Sequence, residues 1–550
     1  MQEHEQADDA PQDDRGGGEH QQGVATPKAL RRIGMEVNPY VFFTAAILIV
    51  AFVAFGALFA DAAEDLFLTA EEVVATTLSW WYVALVTGLL GFVIYIGLSR
   101  FGHIRLGAPD ETPEFSLTGW FTMLFSAGMG IGLLYNGVAQ PLTFTADPPT
   151  AEPNTTAAAN EAMDFVFYHW GFHPWAIYST VGLAVAFFAF RKGLPVSFRS
   201  AFYPLLGDRI NGRIGDVLDV FAVFGTMFGV AASLGLGARQ INAGAGAAFG
   251  LPYGVTWQLV IIAVITLVAT VSVVLGLDRG IKRLSQFNIG LSGLILLFVF
   301  VAGSTVYLLD SLVANVGSYL QSMAQIAFFT DPYGEAEQIQ VDWTMALWGW
   351  WIAWAPFVGI FIARISRGRT IREFVLGVLL VPTLASFVWF TVMGESALLY
   401  ELFGPGGLGE VLDQEEGDAL VFFSFLETLP WATVTSLAAV LAVFIFFVTS
   451  SDSGSLVIDM MTSGGHPDPP TGQRVFWAVS EGAVTAVLLL AGGLDAIYAS
   501  AMTVAVPLTV ILVLMAWSLL RGVAAEAPRD RPRRRAAGED RDTSAEAEGV

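Results

Sequence analysis

The chain has 550 residues, of which 54% are hydrophobic and only 14% charged, with a mean hydropathy of +0.60. Charges are nearly absent from repeated apolar runs of about 20 residues, the length that crosses a ~30 Å hydrocarbon core, so the chain is an integral membrane protein. The net charge of −23 lies in tails and loops, which argues against nucleic acid and against an anionic substrate, and the absence of cysteine excludes disulfides and Cys-ligated metals.

In chain order, Met1–Lys28 is polar, acidic and Gln/Gly-rich and reads as a disordered tail with no secretory signal. Windowed hydropathy then gives about 12 spans. The first five are Pro39–Ala60, Trp80–Leu98, Gly119–Asn136, Trp175–Phe190 and Val217–Leu236. Trp257–Gly276, Ile289–Leu308, Thr344–Ile362 and Glu373–Met393 follow, and Trp431–Ser451, Arg474–Ala491 and Ala496–Leu520 complete the set. Two acidic connections, Asp310–Asp342 and Glu395–Pro430, have room for surface helices, and Ser311–Phe329 has the spacing of a helix lying along the interface. The domain reading is residues 1–35 as a disordered acidic cytoplasmic tail, 36–522 as the membrane domain and 523–550 as a charged cytoplasmic tail. In that last segment Arg529, Arg531, Arg533, Arg534 and Arg535 precede an acidic stretch from Glu539. It reads either as a solvated tail or as an arm toward anionic lipid.

Loop charge gives the topology. Loops after even-numbered spans hold Arg100 and Arg105, then Arg191, Lys192, Arg199, Arg209 and Arg213, then Arg279, Lys282 and Arg283, then Arg364, Arg367, Arg369 and Arg372. The alternate loops hold Asp and Glu, and Arg239 alone lies outside the pattern. The positive-inside rule therefore expects both termini in the cytoplasm of a plasma-membrane protein.

Small residues interrupt the apolar runs at Ser126–Gly132 and Thr449–Gly454. Unwound segments in corresponding places of two halves point to a midplane binding site, with spans three to seven and eight to twelve as inverted repeats. No strand precedes the glycines Gly128, Gly130 and Gly132, so a nucleotide-binding reading fails. Two readings remain for them. Small residues let helices pack closely, or a broken helix offers N–H groups to a carboxylate and carbonyls to a cation. The run Phe446-Phe447-Val448-Thr449-Ser450-Ser451 offers hydroxyls to a small hard cation, or bonds them back to helix carbonyls.

The aromatic residues are the sharpest signal. Trp350, Trp354, Phe357 and Phe361 form one helical stripe with Trp351 about 100° away, and Trp170, Trp175 and Tyr178 gather at the fourth span. An interfacial belt spreads its rings around a rim. A dense cluster running inward instead suits cation–π capture of a quaternary ammonium, which has no N–H to donate. His169 and His173 are four apart, but no acidic or Cys partner is local, which favours a structural role over metal. No nucleophile–base or acid–base spacing supports an enzyme.

At these residues the chain resembles the betaine/choline/carnitine transporter family. Four segments carry the likeness in the family's order: GMGIGLLYNGVAQPLTF from Gly128, HWGFHPWAIY from His169, WGWWIAWAPFVGIFIARISRGRTIREF from Trp348 and FFVTSSDSGS from Phe446. The resemblance implies an all-α membrane protein with a LeuT-type inverted repeat, alternating access, a homotrimer and no organic cofactor. It implies sodium-coupled import of a quaternary-ammonium osmolyte, with glycine betaine expected. Choline, carnitine, ectoine or dimethylsulfoniopropionate would use the same cage, and a non-transporting receptor is the rival reading. Carried over by position, Trp170, Trp175, Tyr178 and Trp351 match the aromatic box, Trp354 matches a further substrate contact, and Trp350 sits beside them. Ser126, Met129, Phe446, Thr449 and Ser450 match a sodium site at the two expected helix breaks. Thr226, Ser233 and Phe357 fit a second sodium site, where Val230 replaces an expected Thr. Gly132 stands where proton-coupled members carry an acid, and Gln140 where an acid is common.

Overall fold

The computed structural model describes residues 26–526 apart from positions 33, 129, 276–277, 335–338, 415 and 467–468. Met129 and the tail bearing Arg529 therefore lie outside the described residues, and Ser126 and Gly128 are described in backbone only. Among the described residues every regular element is helical, with one isolated β-bridge between Arg105 and Thr370.

Eleven helices among the described residues are long and apolar enough to cross a membrane. Two of them, Pro39–Leu58 and Ala60–Leu98, precede the expected third span, which is the twelfth crossing. It is not one helix but two, Leu117–Gly128 and Ile131–Ala146, joined through Gly130 in extended conformation at φ −158° and ψ −174°. After it come Thr156–Arg191, Arg213–Phe249, Val255–Leu275 and Arg283–Ala302. The second group is Ile339–Ile365, Ile371–Phe403, Ala432–Thr462, Thr471–Leu490 and Gly493–Glu526. The expected interfacial helix is present as Thr305–Ile326 and buries Leu308, Ser311, Asn315 and Tyr319 along one stripe. Tyr307 and Asn315 fasten it to buried Glu395 of the ninth span at 2.7 and 2.6 Å.

The second expected break does not occur. Ala432–Thr462 is one continuous helix of 31 residues through Thr449–Gly454. Its hydroxyls satisfy the helix rather than opening it: Thr449 Oγ1 donates to the carbonyls of Ile445 and Phe446 at 2.9 and 3.2 Å, and Ser455 Oγ to that of Asp452 at 3.0 Å. Gly454 is small because Val230 and Glu481 press against it, not because the chain bends there.

Packing repeats with an offset of five spans. The fourth packs on the eighth as the ninth packs on the third, and the fifth packs on the eleventh as the tenth packs on the sixth. Because five is odd, the second set enters from the opposite face, which makes the repeat inverted.

The basic loops converge on one face. Residues 104–106 pair with 368–371 through Leu106 N–H to Arg369 O at 2.8 Å and Ile371 N–H to Ile104 O at 2.9 Å. Arg191 at the end of the fourth span donates to Gly107 O at 3.1 Å and, with Lys192, holds Glu526 at the end of the twelfth. On the opposite face Tyr135 donates to Asp418 at 2.5 Å, and Arg239 bonds Asp418 at 2.8 Å and also Glu416. Arg239 is thus a buried ion-pair partner rather than a loop charge, which removes the one exception to the charge pattern.

Candidate solute and ion site

One cavity of about 460 Å³ lies where the broken third span meets the fourth, eighth and tenth. Its aromatic wall comes from two elements with local reasons for their shape. In the fourth span, Gly171 at φ −96° and ψ −131° separates the helices Thr156–Trp170 and Phe172–Ala186, so Trp170 ends one while Trp175 and Tyr178 begin the next. A Cβ at Gly171 would strike the Phe167 carbonyl. In the eighth span a π-helical stretch, Ile339–Met345, leads into the helix Ala346–Ile365, which carries Trp350, Trp351 and Trp354.

The rings stand at right angles around the cavity. Trp170 and Trp351 are 5.0 Å apart at 84°, Tyr178 and Trp351 are 6.1 Å apart at 88°, and Trp175 and Tyr178 are 5.4 Å apart at 75°. Trp350 stacks behind Trp351 at 4.8 Å and 11°. This is not an interfacial belt, because Trp350 and Trp351 are 1% and 6% exposed, whereas Trp80, Trp431 and Trp517 elsewhere are 58%, 75% and 55% exposed. Perpendicular faces with no charged group among them suit a soft cation.

The second wall is the start of Ile131–Ala146, where Gly130, Ile131, Gly132 and Leu133 line the cavity. The first N–H groups of a helix have no intrahelical partner and favour negative charge. A Cβ at Gly132 would lie 2.7 Å from Trp350 Cη2 and 2.8 Å from Trp170 Cη2, so the box closes only around a glycine. That is the physical reason this chain carries no acid there.

The third wall is the tenth span, with Phe446, Thr449, Ser450 and Ser453. Thr449 gives its proton to the helix backbone, which leaves oxygen lone pairs for an ion. Of the second expected sodium set, Ser233 and Phe357 face the cavity and Thr226 does not. Thr226 is fully buried with no hydrogen-bond partner for its hydroxyl, and Val230 packs on Gly454. From the box the cavity runs past Phe357 and Phe361 toward Thr122, Met123, Ser285 and Gln286, on the side of the basic loops. On the opposite face stands the Arg239 cluster. There burial pushes the Tyr253 phenol above its ordinary value against the pull of Arg239, so it remains a donor to Glu416 at 3.0 Å.

Sequence reading missed what holds the rings. Trp170 Nε1 donates to Gln140 Oε1 at 2.6 Å, and Gln140 Nε2 meets His169 Nδ1 at 3.0 Å. His169 Nε2 meets Thr344 at 3.0 Å, and the His169 carbonyl accepts Trp351 Nε1 at 3.1 Å. His169 is therefore structural, and its partners are 29 and 175 residues away.

An all-helical inverted repeat with a cavity midway through it defines a multi-pass membrane transporter rather than an enzyme. The family model described as betaine/carnitine/choline family transporter matches residues 40–528. The chain belongs to that family. It is 44% identical over 501 residues to an uncharacterised transporter of Mycobacterium tuberculosis, covering 88% of this chain and 82% of that protein. It is 42% identical over 487 residues to a glycine betaine transporter of Acinetobacter baylyi, covering 88% and 73%. With a glycine betaine transporter of Bacillus subtilis it shares 40% identity over 488 residues, covering 88% and 94%.

Proposed function

We propose that this chain imports glycine betaine together with sodium across the plasma membrane, with both termini cytoplasmic. The observation that carries the reading is the box of perpendicular rings set directly against the start of the helix Ile131–Ala146. A betaine is a trimethylammonium group joined to a carboxylate by one methylene. Its cation fits the ring faces and its carboxylate fits the helix N–H groups a few ångströms away. A primary amine would instead need carbonyl acceptors, which the rings do not offer. The names of the Acinetobacter and Bacillus relatives support betaine, and a Vibrio parahaemolyticus relative named for glycine betaine, proline and choline widens the solutes to be compared.

Sodium is the proposed coupling ion because Thr449 and Ser450 bring oxygen to the same cavity while Gly132 brings no titratable group. Ser126 and Met129 would complete that proposed site through backbone carbonyls, with Phe446 as a further member, and one sodium per cycle fits Val230. The working unit is proposed to be a homotrimer. The test is uptake into proteoliposomes under imposed gradients. Sodium should drive betaine accumulation, and Thr449→Ala/Ser450→Ala should lose sodium affinity before betaine affinity. Accumulation driven by protons in sodium-free buffer would sink the coupling, and betaine binding without uptake would favour a receptor.

A further inference from the structure

We infer that Gln140 is a positioning residue for the aromatic box, tying Trp170 to His169 through its two amide atoms; this rests on the proposed cation–π reading. An indole N–H only donates, so the Gln140 atom at 2.6 Å from Trp170 Nε1 is the carbonyl oxygen. Its NH₂ group is then the one facing His169 Nδ1, which must be the bare, accepting nitrogen. The imidazole proton consequently sits on Nε2 and is donated to Thr344 Oγ1. Every polarity along this chain is determined, and Gln140, His169 and Thr344 are all buried.

Two walls of the box hang from this one unit. Gln140 draws the Trp170 N–H outward, which leaves the ring face toward the cavity. His169, anchored at both ring nitrogens, presents the backbone carbonyl that takes the Trp351 N–H at 3.1 Å. The perpendicular setting of those two rings is therefore fixed from behind by side chains that do not line the cavity. An apolar side chain of the same shape cannot replace it, because the Trp170 N–H and the His169 nitrogen would be left buried and unpaired.

The experiment is a double-mutant cycle on the purified full chain, read by calorimetric titration with glycine betaine at saturating sodium. Gln140→Met keeps the volume and removes both bonds; Trp170→Phe keeps a ring face and removes the N–H. Each should weaken binding about tenfold, and the double variant should lose clearly less than the roughly hundredfold expected of independent losses, because the Gln140–Trp170 bond is shared while the His169 arm is not. Thr344→Val, which breaks the chain at its far end, should cost about threefold. Additive losses, or unchanged binding in Gln140→Met, would overturn the inference. A readout without solute stands beside it, in isotope-labelled tryptophan whose Trp170 indole N–H resonance is identified by its loss in Trp170→Phe. That resonance should move upfield in Gln140→Met, and an unmoved resonance overturns the positioning role whatever the wild type binds. Wild-type protein that binds no betaine, with the resonance still shifting, would remove the substrate reading and leave the positioning role in place.

Discussion

Two glycines two residues apart make opposite predictions. A methyl group at Gly132 would sit 2.7 Å from Trp350 Cη2 and 2.8 Å from Trp170 Cη2, whereas one at Gly130 meets nothing within 4 Å. Carbon atoms rest near 3.5–4.0 Å, so in Gly132→Ala both ring edges must retreat by about 1 Å. Neither is free to do so. Trp350 donates to the Gly229 carbonyl at 3.1 Å and stacks on Trp351, while Trp170 is tied to Gln140 at 2.6 Å. Overpacking of this kind costs about 1–3 kcal/mol, and withdrawing a ring face forfeits part of a desolvated cation–π contact worth ~2 kcal/mol. A loss of ~2 kcal/mol in betaine binding follows, or about 30-fold in Kd. Gly130 is extended, a conformation open to any residue, so Gly130→Ala should bind within about twofold of wild type. Calorimetric titration of the three purified proteins decides it. Gly132→Ala within about threefold of wild type, or Gly130→Ala equally impaired, would refute the reasoning.

Trp351→Ala should weaken betaine binding about 30-fold, with Trp351→Phe retaining part of it; unchanged binding in folded Trp351→Ala protein removes that ring from the site. Asp418→Asn takes a carboxylate from Arg239 and weakens the acceptor of Tyr135, so purified protein should lose ~2 kcal/mol of stability and melt several degrees lower. An unchanged melting point would mean that Glu416 suffices. Because the native chain has no cysteine, an impermeant maleimide on intact cells should reach cysteines placed at Glu152 and Asp413 and miss those at Arg100 and Arg209. The reverse pattern inverts the topology.

Much of this was legible in the sequence, because lipid makes the rules severe. Apolar runs of spanning length, charges confined to alternate loops and the Trp cluster after Trp348 each have few alternatives. The glycines around Gly130 allow either close packing or a break, and the chain breaks there. The run after Thr449 looked the same and is continuous, since Ser and Thr can bond to their own helix as easily as interrupt it. What sequence could not reveal is pairing at a distance. Arg239 looked like a stray charge until Asp418, 179 residues on, appeared beside it. Gln140 had no account until His169 and Trp170 folded against it.

The hydrogen bonds on the basic face have a mechanical consequence. They strap together the loop joining the second and third spans, the end of the fourth, the junction of the eighth and ninth, and the end of the twelfth. The tenth span is outside that strapping and rests on the fifth, sixth, seventh and eleventh. The rings therefore ride on helices within the strapped set, and the hydroxyls on a helix outside it. On the proposed sodium coupling, cargo and ion would share a single geometric variable, the spacing of those two walls, so that whichever arrives first would set the gap that the other must fill.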